Sequence, residues 1–168
     1  MTTVYHLLTD GALLVETLTE PFGDLPTLPR LGLVATLDAS YTDYCWYGLG
    51  PHETYPDRRL ARKALHARQT SDNLAPYIKP QACGNHEAST WLQITNGLSS
   101  YSFRSHQPSS MSALPHSDHS LGQASHCEAL PTSAGAYVSL DARQSGLGNK
   151  SCGPETLPQY LVQPLPAH

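Results

Sequence analysis

The sequence predicts an all-β fold, an antiparallel β-sandwich, and three observations carry that expectation. Turn formers are abundant: 14 prolines and 12 glycines among 168 residues, a composition that favours many turns over long helices. Runs that alternate apolar and polar residues recur, as in STWLQIT (89–95), and alternation with period two is the strand signal. These runs are short, with turn signals roughly every 8–12 residues, the rhythm of sandwiches rather than of βαβ units.

The elements follow in order. VYHLL (4–8), a TDG turn and ALLVETL (12–18) read as a hairpin. Leu13, Val15 and Thr17 share one face of its second strand, and Leu14, Glu16 and Leu18 the other. EPFGDLPTLPR (20–30) carries three prolines and is a surface loop. LGLVATL (31–37) is the next strand. After a turn at DASYTD, YCWY (44–47) is a short strand that should stop at Gly48, Gly50 and Pro51. RRLARKALHARQ (58–69) has helical character, with Leu60, Ala64 and Leu65 on one side and basic residues around the rest. APYIKPQACGN (75–85) is extended and ends in a glycine turn. STWLQIT pairs with SSYSFRS (99–105) across the NG turn. Residues 106–120 read as a long Ser-, Pro- and His-rich loop, and HSLGQASH (119–126) as a short helical turn. CEAL (127–130), AYVSLDA (136–142) and QYLV (159–162) complete the strands. The length fits one domain over 1–168, large enough to bury a core unaided.

Composition excludes several roles. A net charge of -4 with only 14% charged residues argues against nucleic acid as a partner. Five basic residues between 58 and 68 (Arg58, Arg59, Arg62, Lys63 and Arg68) have no second basic element beside them and read as a solvated surface. No run is long and apolar enough to span a membrane, and MTTVYHLLTD lacks the pattern of a secretory signal. Cys45, Cys83, Cys127 and Cys152 are widely spaced without a C-x-x-C pair, so they read as unpaired thiols of a reducing, cytoplasmic setting.

The residues themselves offer little chemistry. His106, His116, His119, His126 and Cys127 lie close in sequence but lack a closed four-ligand pattern, so no metal site is expected. There is no G-x-S-x-G elbow and no phosphate loop. Glu53 and Asp57 stand four residues apart in WYGLGPHETYPDR (46–58). Carboxylates between prolines and arginines commonly fix a turn, by accepting backbone N–H groups or by pairing, here Asp57 with Arg58 or Arg59. Tyr44, Trp46, Tyr47, Tyr55, Tyr77, Trp91 and Tyr137 offer rings for sugar stacking, and the same rings serve equally as core.

Five stretches, in order, carry a resemblance. They are LPRLGLVATL (28–37), WYGLGPHETYPDR, APYIKPQACGN, the Leu121–His126 stretch with the EAL after it, and AYVSLDARQSGLGNKSCGPETLPQY (136–160). Together they resemble the C-terminal, small-chain region of lac-type β-galactosidases of the family 2 glycoside hydrolases, from about residue 26 to 162. The resemblance implies part of a β-supersandwich beside a (β/α)8 barrel. That barrel holds both catalytic carboxylates and the magnesium and sodium sites, and nothing here resembles it. The chain is therefore expected to be a non-catalytic module, inactive alone and without a cofactor of its own. It would complete the fold, the subunit contacts and the active-site mouth of an enzyme performing retaining hydrolysis of terminal β-galactosides. Galactosides, a catalytic barrel and homo- or hetero-oligomeric partners are implied with it. One family residue carries over with a change. The aromatic that stacks on the sugar just before the closing L-x-x-D is Tyr137 here rather than tryptophan, a smaller ring with a different polar tip. WYGLGPHETYPDR reads as a structural corner: Trp46 and Tyr55 fill it, Gly48 and Gly50 permit the turn, Pro51 and Pro56 stiffen it, and Glu53, Asp57 and Arg58 tie it. The other readings are a free-standing carbohydrate-binding or scaffold module and a truncated gene product without a function. A half-sandwich is also expected to leave an apolar patch or a long strand edge uncovered.

Overall fold

The computed structural model describes residues 1–149 and 152–164, and it is all-β and antiparallel. Strands β1 (Thr2–Leu7) and β2 (Leu13–Leu18) form a two-stranded hairpin. The others are β3 (Arg30–Leu37), β4 (Asp43–Gly50), β5 (Arg62–Gln69), β6 (His86–Thr95), β7 (Ser100–Leu114) and β8 (Ala136–Gln144). These six make one sheet in the order β3-β8-β7-β6-β4-β5, with every neighbouring pair antiparallel. A helix, α1 (Asp118–Gln123), and three 3₁₀ turns complete the described chain.

The six-stranded sheet folds over into a sandwich, and β7 is the bend. Its first half pairs with the end of β6, from Thr95↔Ser100 to Trp91↔Arg104, and its second half pairs with β8, from Ser110↔Asp141 to Leu114↔Tyr137. Between Trp91↔Arg104 and Ser89↔Ser109, β6 advances two residues and β7 five. That excess on one strand kinks the ladder. The connection from β3 to β4 demands the same bend. In a flat sheet these strands would lie four spacings apart, roughly 19 Å at about 4.8 Å each. They are instead joined by a closed turn in which the Tyr41 amide donates to the Asp38 carbonyl at 3.1 Å.

The inner face carries the main core. Tyr44, Trp46, Leu92 and Ile94 from one layer join Met111, Ala113, Ala136 and Val138 from the other, with Tyr41 at the turn. Each is an alternate residue of its strand, as a one-sided pleat requires. A second cluster on the outer face, Cys83, Leu114 and Leu121 with Leu74, Ala75, Tyr77 and Leu130, anchors α1 and the 74–83 segment to the end of β7.

The hairpin stands apart. Tyr5, Leu7, Leu13, Leu14 and Leu18 are all exposed, so both of its apolar faces are uncovered. This is the apolar patch expected of a half-sandwich, and a lone two-stranded hairpin is marginal in water.

Several local expectations are corrected. Arg62–Gln69 is strand, not helix. It forms eight pairs with β4, from Gly50↔Arg62 to Asp43↔Gln69, with Ala64, His66 and Arg68 turned inward. Tertiary pairing overrides the helix propensity of its alanines and arginines. The strand at 44–47 does not stop before the glycines but runs through Gly50, because β5 supplies a ladder as far as that residue. Much of the expected 106–120 loop is strand: β7 continues through Leu114, where β8 offers a new partner. Cys127–Ala129 is a 3₁₀ turn rather than a strand. Residues 159–162 contribute only the single bridge Leu28↔Val162 after another 3₁₀ turn.

Candidate functional site

The corner at 46–58 and the cleft at Tyr137 are the two places where the sequence put its site residues. At the corner, Trp46 is fully buried on β4. Its ring stacks on His86 at 3.8 Å between centroids and on Tyr44 at 5.2 Å, and its Nε1 donates to the Leu49 carbonyl at 3.1 Å. Gly48 and Gly50 are not turn residues: both lie in the strand, at a close approach. A Cβ on Gly48 would lie 2.9 Å from Ser89 Cα, and one on Gly50 would lie 2.9 Å from the Trp46 ring. Pro51 follows Gly50 through a cis peptide bond.

The carboxylates then tie the corner to distant segments. Glu53 accepts from the Tyr77 hydroxyl at 2.6 Å, the Gly84 amide at 2.8 Å and the hydroxyl of buried Tyr55 at 3.2 Å. Burial, reinforced by the Glu53 charge, pushes both phenols up, Tyr77 to about 12, so both stay protonated and donate. Asp57, just past Pro56, accepts from the Leu147 and Gly148 amides at 3.1 and 2.8 Å. Arg58 donates to the Gly148 carbonyl at 2.6 Å and to Asn149 Oδ1 at 3.2 Å. The expected pairing of Asp57 with Arg58 or Arg59 is thereby replaced. Both Asp57 and Arg58 turn to the loop after β8, whose backbone offers two amides and a carbonyl in matching places. The segments 46–58, 75–85 and 136–160, read separately in the sequence, converge here.

His86 gives the corner a pH dependence. It is fully buried against Trp46 and shares a 3.1 Å hydrogen bond with the Tyr44 hydroxyl. Burial, with the Arg68 and His66 charges adding to it, lowers its pKa from 6.5 to about 3. Unfolding therefore takes up a proton anywhere between those values, and stability falls as pH drops through that window, by up to about 1.4 kcal/mol per pH unit. Urea unfolding at about pH 5 is expected to show roughly 2 kcal/mol less stability from this residue than at about pH 7.5. His86→Gln should flatten that slope, and an unchanged slope would remove His86 as its source.

Tyr137 lies on β8 between Thr36 of β3 and Leu114 of β7. It lines a cleft of about 220 Å³. Val34, Leu114 and Tyr137 give the cleft its apolar side, while His116, Ser117, Asp118, His119 and Ser139 supply polar groups. Burial moves the His116 imidazole below its ordinary value, so at neutral pH it is uncharged and offers one donor and one acceptor. Ser117 caps α1 by accepting from the Ser120 amide at 3.1 Å. Asp118 is held by Arg30 Nη1, and Arg30 Nη2 donates to buried Asp141 at 2.6 Å. One guanidinium thus joins the start of β3, the middle of β8 and the first residue of α1. An apolar wall facing a polar rim is the arrangement that receives a sugar ring. His116 and His119, which in the sequence stand out only as potential metal ligands, line the same cleft as Tyr137. Their signal was Ser117 and Asp118 between them, the start of a capped helix.

Among the described residues no three His, Cys, Asp or Glu side chains are grouped so as to hold a metal ion. All four cysteines are free thiols. No helix among the described residues is long and apolar enough to cross a membrane.

The family model for the beta galactosidase small chain matches residues 1–168. The chain is 33% identical over 161 residues to a beta-galactosidase of Priestia megaterium, covering 94% of this chain and 16% of that protein. It is 38% identical over 133 residues to beta-galactosidase BgaC of Bifidobacterium adolescentis, covering 77% and 13%. A beta-galactosidase of Staphylococcus xylosus is 32% identical over 162 residues, covering 96% and 16%. The chain thus spans only about one-sixth of the length of these relatives.

Proposed function

The chain belongs to the β-galactosidase small-chain family, and from that premise we propose that it is the non-catalytic C-terminal module of a lac-type, family 2 β-galactosidase. The observation that carries this reading is the match over residues 1–168 of a chain that spans 13–16% of its relatives. In this reading a catalytic barrel, on the same or another chain, supplies the carboxylates and the magnesium and sodium sites for retaining hydrolysis of terminal β-galactosides. The module contributes the mouth of the site and contacts between subunits, in a reducing, cytoplasmic setting. The uncovered apolar hairpin is the surface for the rest of the enzyme. The 46–58 corner is structural, because the side chains of Glu53, Tyr55, Asp57 and Arg58 are all spent on the protein's own segments.

At the mouth, Tyr137 stacks on the sugar beyond the scissile bond. His116 and the Arg30-held Asp118 hydrogen-bond its hydroxyls from the opposite side. Hydroxyls need both donors and acceptors in reach, and a neutral imidazole beside a carboxylate provides both.

The test is hydrolysis of a chromogenic galactoside by this chain mixed with a β-galactosidase lacking its small-chain region, against each alone. Activity only in the mixture is expected. Turnover by the pure chain that disappears in Glu53→Gln would overturn the reading. In the active mixture, Tyr137→Ala is expected to raise KM for lactose about three- to tenfold, the equivalent of roughly 0.5–1.5 kcal/mol of ring contact. An unchanged KM would remove Tyr137 from the site. Calorimetric binding of galactose-containing sugars by the chain alone, lost in Tyr137→Ala and without activity in any mixture, would favour the free-standing binding module. The Tyr137 cleft is the observation behind that second reading, since one chain builds it.

A further inference from the structure

The six-stranded sheet ends at β5, whose outer edge pairs with no strand among the described residues. This edge is eight residues long, free of proline, and in unbroken register with β4. Just beyond it the Thr70 amide donates to the Thr42 carbonyl at 2.8 Å. Bonded and non-bonded pairs alternate along an antiparallel ladder. Arg62, Ala64, His66 and Arg68 therefore turn their backbone groups to β4, and Lys63, Leu65, Ala67 and Gln69 turn theirs outward. The side chains of those four are all exposed. A straight, open edge of this kind is a template for a further strand. The opposite edge, β3, is broken by a register shift at Leu31/Gly32.

Charge selects the strand that β5 takes. Residues 58–69 hold five basic side chains and no acid, and of these Arg62 and Lys63 are exposed at the start of β5. Residues 1–29 hold four acids, Asp10, Glu16, Glu20 and Asp24, and no lysine or arginine. They contain the hairpin, a sheet of its own with both outer edges open. β1 carries no acid, while β2 carries Glu16, which is 64% exposed and pairs with His6. Laid antiparallel on β5, β2 brings Glu16 and the following Glu20 towards Arg62 and Lys63. The Leu8 amide donates to the Ala12 carbonyl at 2.8 Å, so by the same alternation Leu13, Val15 and Thr17 turn their backbone groups away from β1. With Val15 opposite Leu65, these three meet Ala67, Leu65 and Lys63, and Glu16 lies diagonal to Arg62, within reach of a long side chain. Val15 then extends the row formed by Leu65, Tyr47 and Trp91 across β5, β4 and β6. The basic edge accepts an acidic strand and repels a second β5. We infer that β5 is a strand-addition site for a second copy of this chain, whose acidic β2 pairs antiparallel with it. The pairing uses edges and leaves the apolar faces of the hairpin to the rest of the enzyme, so it goes beyond the module reading.

The test is sedimentation equilibrium of the whole chain, with amide hydrogen exchange followed at low and high concentration. Self-association that weakens with added salt is expected, with exchange slowed in the associated state at Leu65, Ala67, Val15 and Thr17. Arg62→Glu should raise the dissociation constant about tenfold, since like charges replace an opposite pair. Adding Glu16→Lys to that variant should restore association. Leu65→Pro should abolish it, because the Leu65 amide faces outward and its loss takes no hydrogen bond from β4. Should that variant not fold, the charge swap decides by itself, both of its side chains being exposed. A chain still monomeric at about 1 mM, association that Arg62→Glu leaves intact, or slowed exchange confined to the hairpin would overturn the inference. Complementation of a β-galactosidase is measured separately, so failure of either proposal leaves the other standing.

Discussion

Trp46→Ala is expected to destabilise the chain by about 3–5 kcal/mol, the usual range for deleting a large buried aromatic. Trp46 is 0% exposed and sits where both layers of the folded sheet meet the corner. Its removal leaves a cavity between Tyr44, His66 and His86, whose rings it contacts. Those rings cannot close the gap, since each is fixed to its own strand, Tyr44 and His66 in the β4–β5 ladder and His86 in its pair with Met111 of β7. Domains of this size are stable by only about 5–15 kcal/mol in all. Urea unfolding followed by far-UV circular dichroism measures the change. A loss under about 1 kcal/mol would mean the core relaxes around the gap and Trp46 is not central to it.

The second large effect is expected at Asp141. Asp141→Ala removes the buried partner of Arg30, whose side chain is itself only 22% exposed. Burial alone would push the carboxyl up and the guanidinium down, and each charge offsets the other's loss of water. Breaking one half leaves the other charge poorly compensated, at a cost of about 3 kcal/mol, toward the low end for buried pairs because Asp118 still holds Arg30. Replacing both, in Arg30→Met with Asp141→Leu, should recover most of that loss. A double variant as unstable as the single would show that the ion pair itself, and not the orphaned charge, carries the stability. In the complemented enzyme the single change should also weaken lactose binding, since Arg30 positions Asp118 at the Tyr137 cleft.

Much of the fold was legible. The alternation of β6 and the NG turn at 96–97 announced the central hairpin, and the TDG turn announced the first one. The five stretches of WYGLGPHETYPDR type announced the family. Other features were not legible, each for a physical reason. Arg62–Gln69 looks helical because alanine and arginine favour helix locally, and only the free edge of β4 makes it a strand. β7 looks like a loop after residue 105 because its ladder with β6 is bulged between Arg104 and Ser109 and β8 joins its other edge only from Ser110, so its polar residues are buried by pairing rather than by apolarity.

The sites divide in the same way. Glu53, Asp57 and Arg58 stood out in the sequence as residues that tie a corner. Their partners, Tyr77, Gly84, the Leu147–Gly148 backbone and the Asn149 side chain, lie up to 91 residues away, and no spacing rule reaches that far. By itself the sequence determined the strand periodicity, the turns and the family, because these depend on neighbours within a few residues. Only the tertiary structure decided that His116 and Asp118 face the same cleft as Tyr137. That meeting depends on where β7 bends, and a bend is fixed by the whole sheet closing on its core.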